Sequence, residues 1–267
     1  AAPGDPTTLP SPKPTHHPSP KPTHHPSPVP TIPAPSPVPT IPPKEAEYTF
    51  CESTEIYLEQ HPALRIASGG FNFSDSYEDF ACLAKPTEYT DTNLVHSDYA
   101  MQNMTVNVTF VKDTNSKGQV MAVGLRSTQN DNAWGYGYCQ GYQKYLCNVQ
   151  IKNLKKAKLE FKICGSNGLY EDLYVTELVA FSTQHSYKLS FSALGDALHC
   201  QLYDTEDYAA GPLLDHTVNA SEVHRIAGNE IVSKAGGGEF GSYSSTQYFT
   251  NFDVYNHDEG TYLQYAQ

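Results

Sequence analysis

The sequence predicts an all-β fold, an antiparallel sandwich carried behind an extended polyproline II stalk, and three observations predict it. Seventeen of the twenty prolines precede Glu45, so the first 44 residues cannot bury enough apolar surface to offset the entropy of ordering. After Glu45 the texture changes to short runs of alternating apolar and polar residues separated by Gly, Asn, Asp and Ser, with helical periodicity almost absent. Six cysteines, an even number, fit three disulfides. The 267 residues therefore divide into a stalk, residues 1–44, and one sandwich domain, residues 45–267.

The stalk repeats with a period of eight from Pro10: PSPKPTHH twice, then PSPVPTIP twice with Ala34 between. Alternating proline fixes φ near the polyproline II value and biases each preceding residue to extended geometry. Some forty residues in that form reach about 120–130 Å, a semi-rigid spacer. The pattern resembles the hydroxyproline-rich glycoproteins of plant and algal walls. That resemblance implies hydroxylation and O-linked sugars at Pro12, Pro14, Pro20, Pro22, Pro28, Pro30, Pro37 and Pro39, with Ser19, Thr23, Ser27, Thr31, Ser36 and Thr40 as further acceptors. Mucin-like stalks share the composition, and a bare linker is the plain alternative. His16-His17 and His24-His25 lie roughly 25 Å apart on an extended chain, too far to share one metal ion. The apolar half, residues 29–41, suits a groove on a second copy of the chain, because a polyproline II segment is a preformed ligand.

In the domain, residues 104–111 alternate as Met-Thr-Val-Asn-Val-Thr-Phe-Val, and 120–125 follow after the turn 115–118. Residues 187–191 and 197–203 flank Leu194-Gly195-Asp196, a hairpin signal, and 249–255 form the last run. One helical turn is expected near 221–226. The segment order resembles the concanavalin A-like jelly roll in its laminin G-like form. The resemblance rests on Phe71-Asn72-Phe73-Ser74-Asp75, on the edge Gly124-Leu125-Arg126, on Tyr187-Lys188-Leu189-Ser190-Phe191 with Gly195-Asp196, and on Gly238-Glu239-Phe240-Gly241-Ser242-Tyr243 before Phe249-Thr250-Asn251-Phe252-Asp253-Val254. It covers most of residues 65–256 and implies a jelly-roll β-sandwich.

Chain order and strand placement favour the pairs Cys51–Cys82, Cys139–Cys147 and Cys164–Cys200; zinc is the competing use, but no CxxC or HExxH accompanies these residues. Four N-glycosylation sequons, at Asn72, Asn103, Asn107 and Asn219, agree with an oxidising, extracellular setting such as a cell wall or matrix. The opening Ala1-Ala2-Pro3-Gly4 fits a chain whose signal peptide has been removed. The domain carries 14 Lys and Arg against 28 Asp and Glu once the stalk's three lysines and one aspartate are set aside. That balance repels phosphate backbones and anionic lipid, so nucleic acid is not an expected partner, and no apolar run is long enough to span a bilayer.

Glucanases of the resembled fold hold two carboxylates close together on one strand. The nearest matches, Glu171-Asp172 with Glu177 and Asp75 with Glu78 and Asp79, have the wrong spacing, and no nucleophile elbow or phosphate loop is present, so an enzyme is not expected. The glycine-rich stretch from Trp134 to Tyr145 offers Trp134, Tyr136, Tyr138, Tyr142 and Tyr145 as stacking surfaces for sugar, with Asn130, Asp131, Asn132 and Gln140 as polar partners. Alternate aromatics covering the core explain the same stretch. No cofactor is expected beyond calcium at Asn130-Asp131, where oxygen ligands are few. Lys152, Lys155, Lys156, Lys158 and Lys162 form the one basic stretch, suited to acidic polysaccharide or to guarding a strand edge. The first functional expectation is a structural glycoprotein that assembles with copies of itself through its stalk. The second is a stalked lectin-like module that binds glycans, and the third, a glycan-processing enzyme, lacks its carboxylates.

Overall fold

Period-two alternation dominates the domain, and it builds strands. The computed structural model describes residues 50–77, 80–87, 92–112, 119–129, 142–152, 155–165, 170–223, 235–243 and 247–262. The chain divides into two units, Ala1–Lys44 and Glu45–Gln267, and the described residues all belong to the second. The stalk's modification candidates and histidine pairs lie outside them.

The described elements in chain order are α1 (Thr54–Gln60), β1 (Leu64–Ser68), β2 (Phe71–Tyr77), β3 (Phe80–Pro86), β4 (Thr92–Ser97), β5 (Met104–Lys112), β6 (Gln119–Gln129), β7 (Tyr142–Lys152) and β8 (Lys156–Cys164). There follow β9 (Tyr170–Val175), β10 (Val179–Ala180), β11 (Ser186–Leu194), β12 (Ala197–Asp204), β13 (Leu214–Asn219), α2 (Ala220–Val223), β14 (Gly237–Tyr243), β15 (Gln247–Asn256) and β16 (Thr261–Tyr262). One sheet has the order β1-β4-β14-β6-β7-β8-β10, with β9 also on β8. The other runs β13-β12-β11-β5-β15-β3-β2, with β16 also on β15. Neighbouring strands are antiparallel throughout, as the sequence predicts for an all-β sandwich.

The two inner faces share one core. Tyr145, Cys147 and Val149 of β7 and Leu159, Phe161 and Ile163 of β8 face Val106 and Val108 of β5 and Leu189 and Phe191 of β11. Each fully buried side chain of this size contributes about 1.5–3 kcal/mol. The expected hairpin is present: Leu194 pairs with Ala197 across Gly195-Asp196, and Gly195 takes the left-handed φ of 58° that such a two-residue turn demands.

Three findings correct the sequence reading. First, Gly124-Leu125-Arg126 is not at an edge, since β6 runs between β14 and β7. Arg126 sits at a register shift with φ 52°, buried, and its Nε donates to the Gln102 carbonyl at 2.7 Å and Nη2 to the Gly195 carbonyl at 2.6 Å. It thereby ties β6 to the β11–β12 turn of the opposite sheet. Second, Cys147 pairs with Cys200, not Cys139, and the bond joins β7 to β12 through the core. Cys164 shares the outward parity of Glu160 and Lys162, so it cannot reach inward to Cys200; it is disulfide-bonded, and Cys139 lies outside the described residues. The Cys51–Cys82 bond is as expected, joining the segment before α1 to β3. Third, β8 is not an edge strand but is covered by β7 on one side and by β9 and β10 on the other, so its lysines guard no edge.

The outer face of the β5–β11 sheet is polar and carries the half-buried carboxyl of Asp253. Asn107 Nδ2 donates to Asp253 Oδ1 at 2.7 Å across β5 and β15. Burial raises the Asp253 carboxyl above its ordinary value, and the bond from Asn107 and the charge of Lys188 offset this only in part. A carboxyl raised in the fold stabilises most below its unfolded pKa, about 3.9, and loses that contribution as pH rises through the folded value. Asp253→Asn keeps the acceptor for Asn107 without the charge. It is expected to raise Tm at pH 7 by about 2–4 °C, the shift about 1 kcal/mol gives a domain of this size, and to leave Tm at pH 3 unchanged. A lower Tm at pH 7 by scanning calorimetry would show that the ionised form is the stabilising one.

Candidate functional site

The chemistry collects on the outer face of the sheet that contains β7. Register places Arg65, His96, Glu239, Gly124, Leu146, Lys162 and Asp172 in one row across β1, β4, β14, β6, β7, β8 and β9. The next row is Leu94, Gly241, Ala122, Asn148 and Glu160. Much of this face is buried, with Ala122, Leu146 and Cys164 forming a small apolar cluster of their own.

At the β14 side the polar groups satisfy one another. Lys144 Nζ donates to Glu239 Oε1, and Ser127 Oγ donates to Glu239 Oε2 at 2.8 Å. Glu239 reaches them by crossing over Gly124, where a Cβ would come within 2.4 Å of Glu239 Cγ. His96 continues the chain, with Nε2 3.3 Å from the Ser127 carbonyl and Nδ1 3.1 Å from Asp98 Oδ1, which also accepts from Arg65 Nε at 2.7 Å. Burial lowers the pKa of Lys144, opposed by Glu239, and burial likewise lowers that of His96. This network locks β14, β6, β7 and β4 together.

At the β8–β9 side the groups are not all satisfied. Glu160 accepts from Lys158 Nζ at 2.7 Å and lies 3.2 Å from Lys162 Nζ, which also pairs with Asp172 and sits 4.8 Å from the Tyr170 ring centroid. Burial alone would raise the Glu160 carboxyl, but the two lysines outweigh it and hold it below its ordinary value. Beside Glu160 stands Asn148, 0 % exposed, and neither its amide nitrogen nor its amide oxygen has a hydrogen-bond partner. An unpaired buried polar group costs about 1–3 kcal/mol. Exposure rises from Asn148 outward to Tyr170, at 49 %, and the side chain of Asp172, at 50 %. The sequence reading named Lys158, Lys162 and Asp172 separately but missed Asn148, Glu160 and Tyr170 and the cluster they form. Its one sequence signal is the shared outward parity of Asn148, Lys158, Glu160 and Lys162.

The aromatic stretch fares differently. Trp134, Tyr136 and Tyr138, with Asn130, Asp131, Asn132 and Gln140, lie outside the described residues, as does the Tyr142 side chain at the start of β7. Tyr145 is a correction: it is 0 % exposed and faces the core beside Arg126, where no sugar can stack. Of the carboxylates, Glu171 is buried while Asp172 is exposed on the outer face, and Asp75 lies 3.7 Å from Lys85; Glu78 and Asp79 are outside the described residues. Glu160 and Glu239 share a face but stand three strand spacings apart, about 14 Å, beyond the span of a glycosidase pair. Among the described residues no group of His, Cys, Asp and Glu could hold a metal ion, and no helix is long and apolar enough to cross a membrane. Asn72 is exposed on β2, Asn103 donates through Nδ2 to Asp258 at 2.7 Å, Asn107 is buried, and Asn219 accepts from the Ser221 amide at 3.2 Å.

No protein-family model and no curated protein sequence matches the chain. Among solved structures it is similar to the carbohydrate-binding module CBM66 from Bacillus subtilis, at 16 % identity over 72 % of this chain and 94 % of that one, TM-score 0.48. A legume lectin-like domain from Entamoeba histolytica matches at 10 % identity over 74 % and 91 %, TM-score 0.49. A Crh5 transglycosylase in complex with NAG matches at 10 % identity over 78 % and 82 %, TM-score 0.50. At such identities the similarity shows the fold alone, a jelly-roll β-sandwich.

Proposed function

We propose that the domain is a secreted glycan-binding module whose ligand is held on the outer face of β7, β8 and β9 around Asn148. The observation that carries this reading is the Asn148 amide, buried with a donor and an acceptor both unused, beside a charged row that opens to solvent at Tyr170 and Asp172. A carboxamide offers one donor and one acceptor side by side, which two neighbouring sugar hydroxyls complement. Carbohydrate is also what the Crh5 structure holds. The structural-subunit expectation moves to second place, because it rests on the stalk. Disulfide bonding within the domain supports an oxidising, extracellular setting.

Asn148→Leu separates the two roles the residue can have. Leucine is close in size and has no polar atoms to leave unpaired, so the domain is expected to gain about 1–2 kcal/mol and to lose glycan affinity about tenfold or more. Thermal unfolding and calorimetric titration of the full chain check both. A lower Tm would make Asn148 a structural residue and sink the reading.

The sequons yield a second expectation. Asn107 is buried with Nδ2 bonded to Asp253, so an attached glycan is incompatible with β5 and β15 as paired, whereas Asn72 is open. Peptide mapping of the secreted protein is expected to find sugar at Asn72 and none at Asn107; an occupied Asn107 in folded protein would contradict the pairing.

A further inference from the structure

We infer that the Asn148 site takes a neutral glycan and rejects uronate and sulfated sugars. The inference rests on the glycan-binding reading and adds the class of ligand.

The charges on this face cancel locally. Lys158 and Lys162 are held by Glu160 and Asp172, two cations against two anions, and Lys144 is held by Glu239. Burial strengthens the hold on Glu160, whose two oxygens are both engaged by lysine within 3.2 Å. A carboxylate or sulfate arriving here must displace Glu160 or Asp172 from a lysine and leave a desolvated carboxylate behind. The long-range field points the same way, since residues 45–267 carry 14 Lys and Arg against 28 Asp and Glu. The group left wanting a partner is uncharged, the Asn148 amide.

Along the row from Asn148 toward β4 stand Ala122, Gly241 and Leu94, all buried as Asn148 is, so the open end of the site is the β9 side, at Tyr170 and Asp172.

The test is a glycan array probed with the full chain, followed by calorimetric titration with neutral oligosaccharides from the array, with oligogalacturonate and with heparin oligosaccharide. Wild type and Asn148→Leu are compared at about 0.05 and 0.5 M NaCl. The expected result is neutral-sugar binding that is insensitive to salt and falls about tenfold or more in Asn148→Leu, with no uptake of either acid. Acidic-sugar binding that depends on Asn148 would overturn the ligand class and leave the site standing. Absence of binding to every sugar would overturn the glycan-binding reading and this inference with it. Glu160→Gln supplies a second readout: it leaves two lysines to one carboxylate and is expected to admit oligogalacturonate at least tenfold more tightly, in a salt-sensitive way. No gain in that variant, shown folded by its unfolding transition, would overturn the charge-pairing argument.

Discussion

Replacing Cys147 and Cys200 together by alanine is expected to cost about 4 kcal/mol and to lower Tm by about 8–16 °C. The bond spans 53 residues and runs from β7 in one sheet to β12 in the other. Closing a loop of that length in the unfolded chain accounts for about 4 kcal/mol in the chain-entropy view. Both cysteines are buried in the shared core, beside Phe161 and Phe191, so lost packing acts in the same direction. Scanning calorimetry of the double variant against wild type checks it. A change below about 1 kcal/mol would mean that the packing of the two sheets alone fixes their separation.

The second large effect is at the buried pair. Glu239→Leu takes the carboxylate from Lys144, which is fully buried, and from Ser127, and is expected to cost about 3–5 kcal/mol at pH 7. Burial already lowers the Lys144 pKa with Glu239 opposing it, so in the variant the ammonium is disfavoured further. A lysine whose folded pKa is depressed contributes stability that is present above its unfolded value, about 10.4, and lost as pH falls through the folded value. The loss in Glu239→Leu should therefore shrink as pH is raised from 7 toward 10. Adding Lys144→Met to Glu239→Leu removes both charges and should recover most of the loss at pH 7. Urea unfolding of the two single variants and the double variant measures the coupling; additive losses would show that the groups do not act as a pair.

What the sequence could show was parity, and parity is most of this fold. Alternation in residues 104–111, 187–191 and 197–203 placed β5, β11 and β12, and the Gly195-Asp196 turn fixed the register of β11 on β12. The same logic, applied to cysteines, would have separated Cys147 from Cys164, since one shares parity with Tyr145 and Val149 and the other with Lys162 and Glu160. Proximity along the chain was the wrong guide. Helix α1 escaped because Tyr57 is the buried residue of its seven, which leaves no periodic stripe to read. The candidate site escaped for a different reason. Asn148 alternates as a solvent-facing residue should, and that its face is buried follows from packing that no local pattern records. Tyr145 shows the converse, an aromatic that composition offers to a ligand and parity assigns to the core.

The Cys51–Cys82 bond decides how the domain bears a pull. Cys51 is exposed at the N-terminal margin of the described residues, and its partner lies on β3. Tension that travels down the chain from its N-terminal side passes through the sulfurs at Cys51 and is delivered to β3. The 30 residues between the two cysteines, with α1, β1 and β2, cannot be drawn out as slack. As extended chain they would represent roughly 100 Å of length that force cannot draw out while the bond is intact. Reduction of that one bond therefore changes the domain from a stiff terminus into one that can pay out chain.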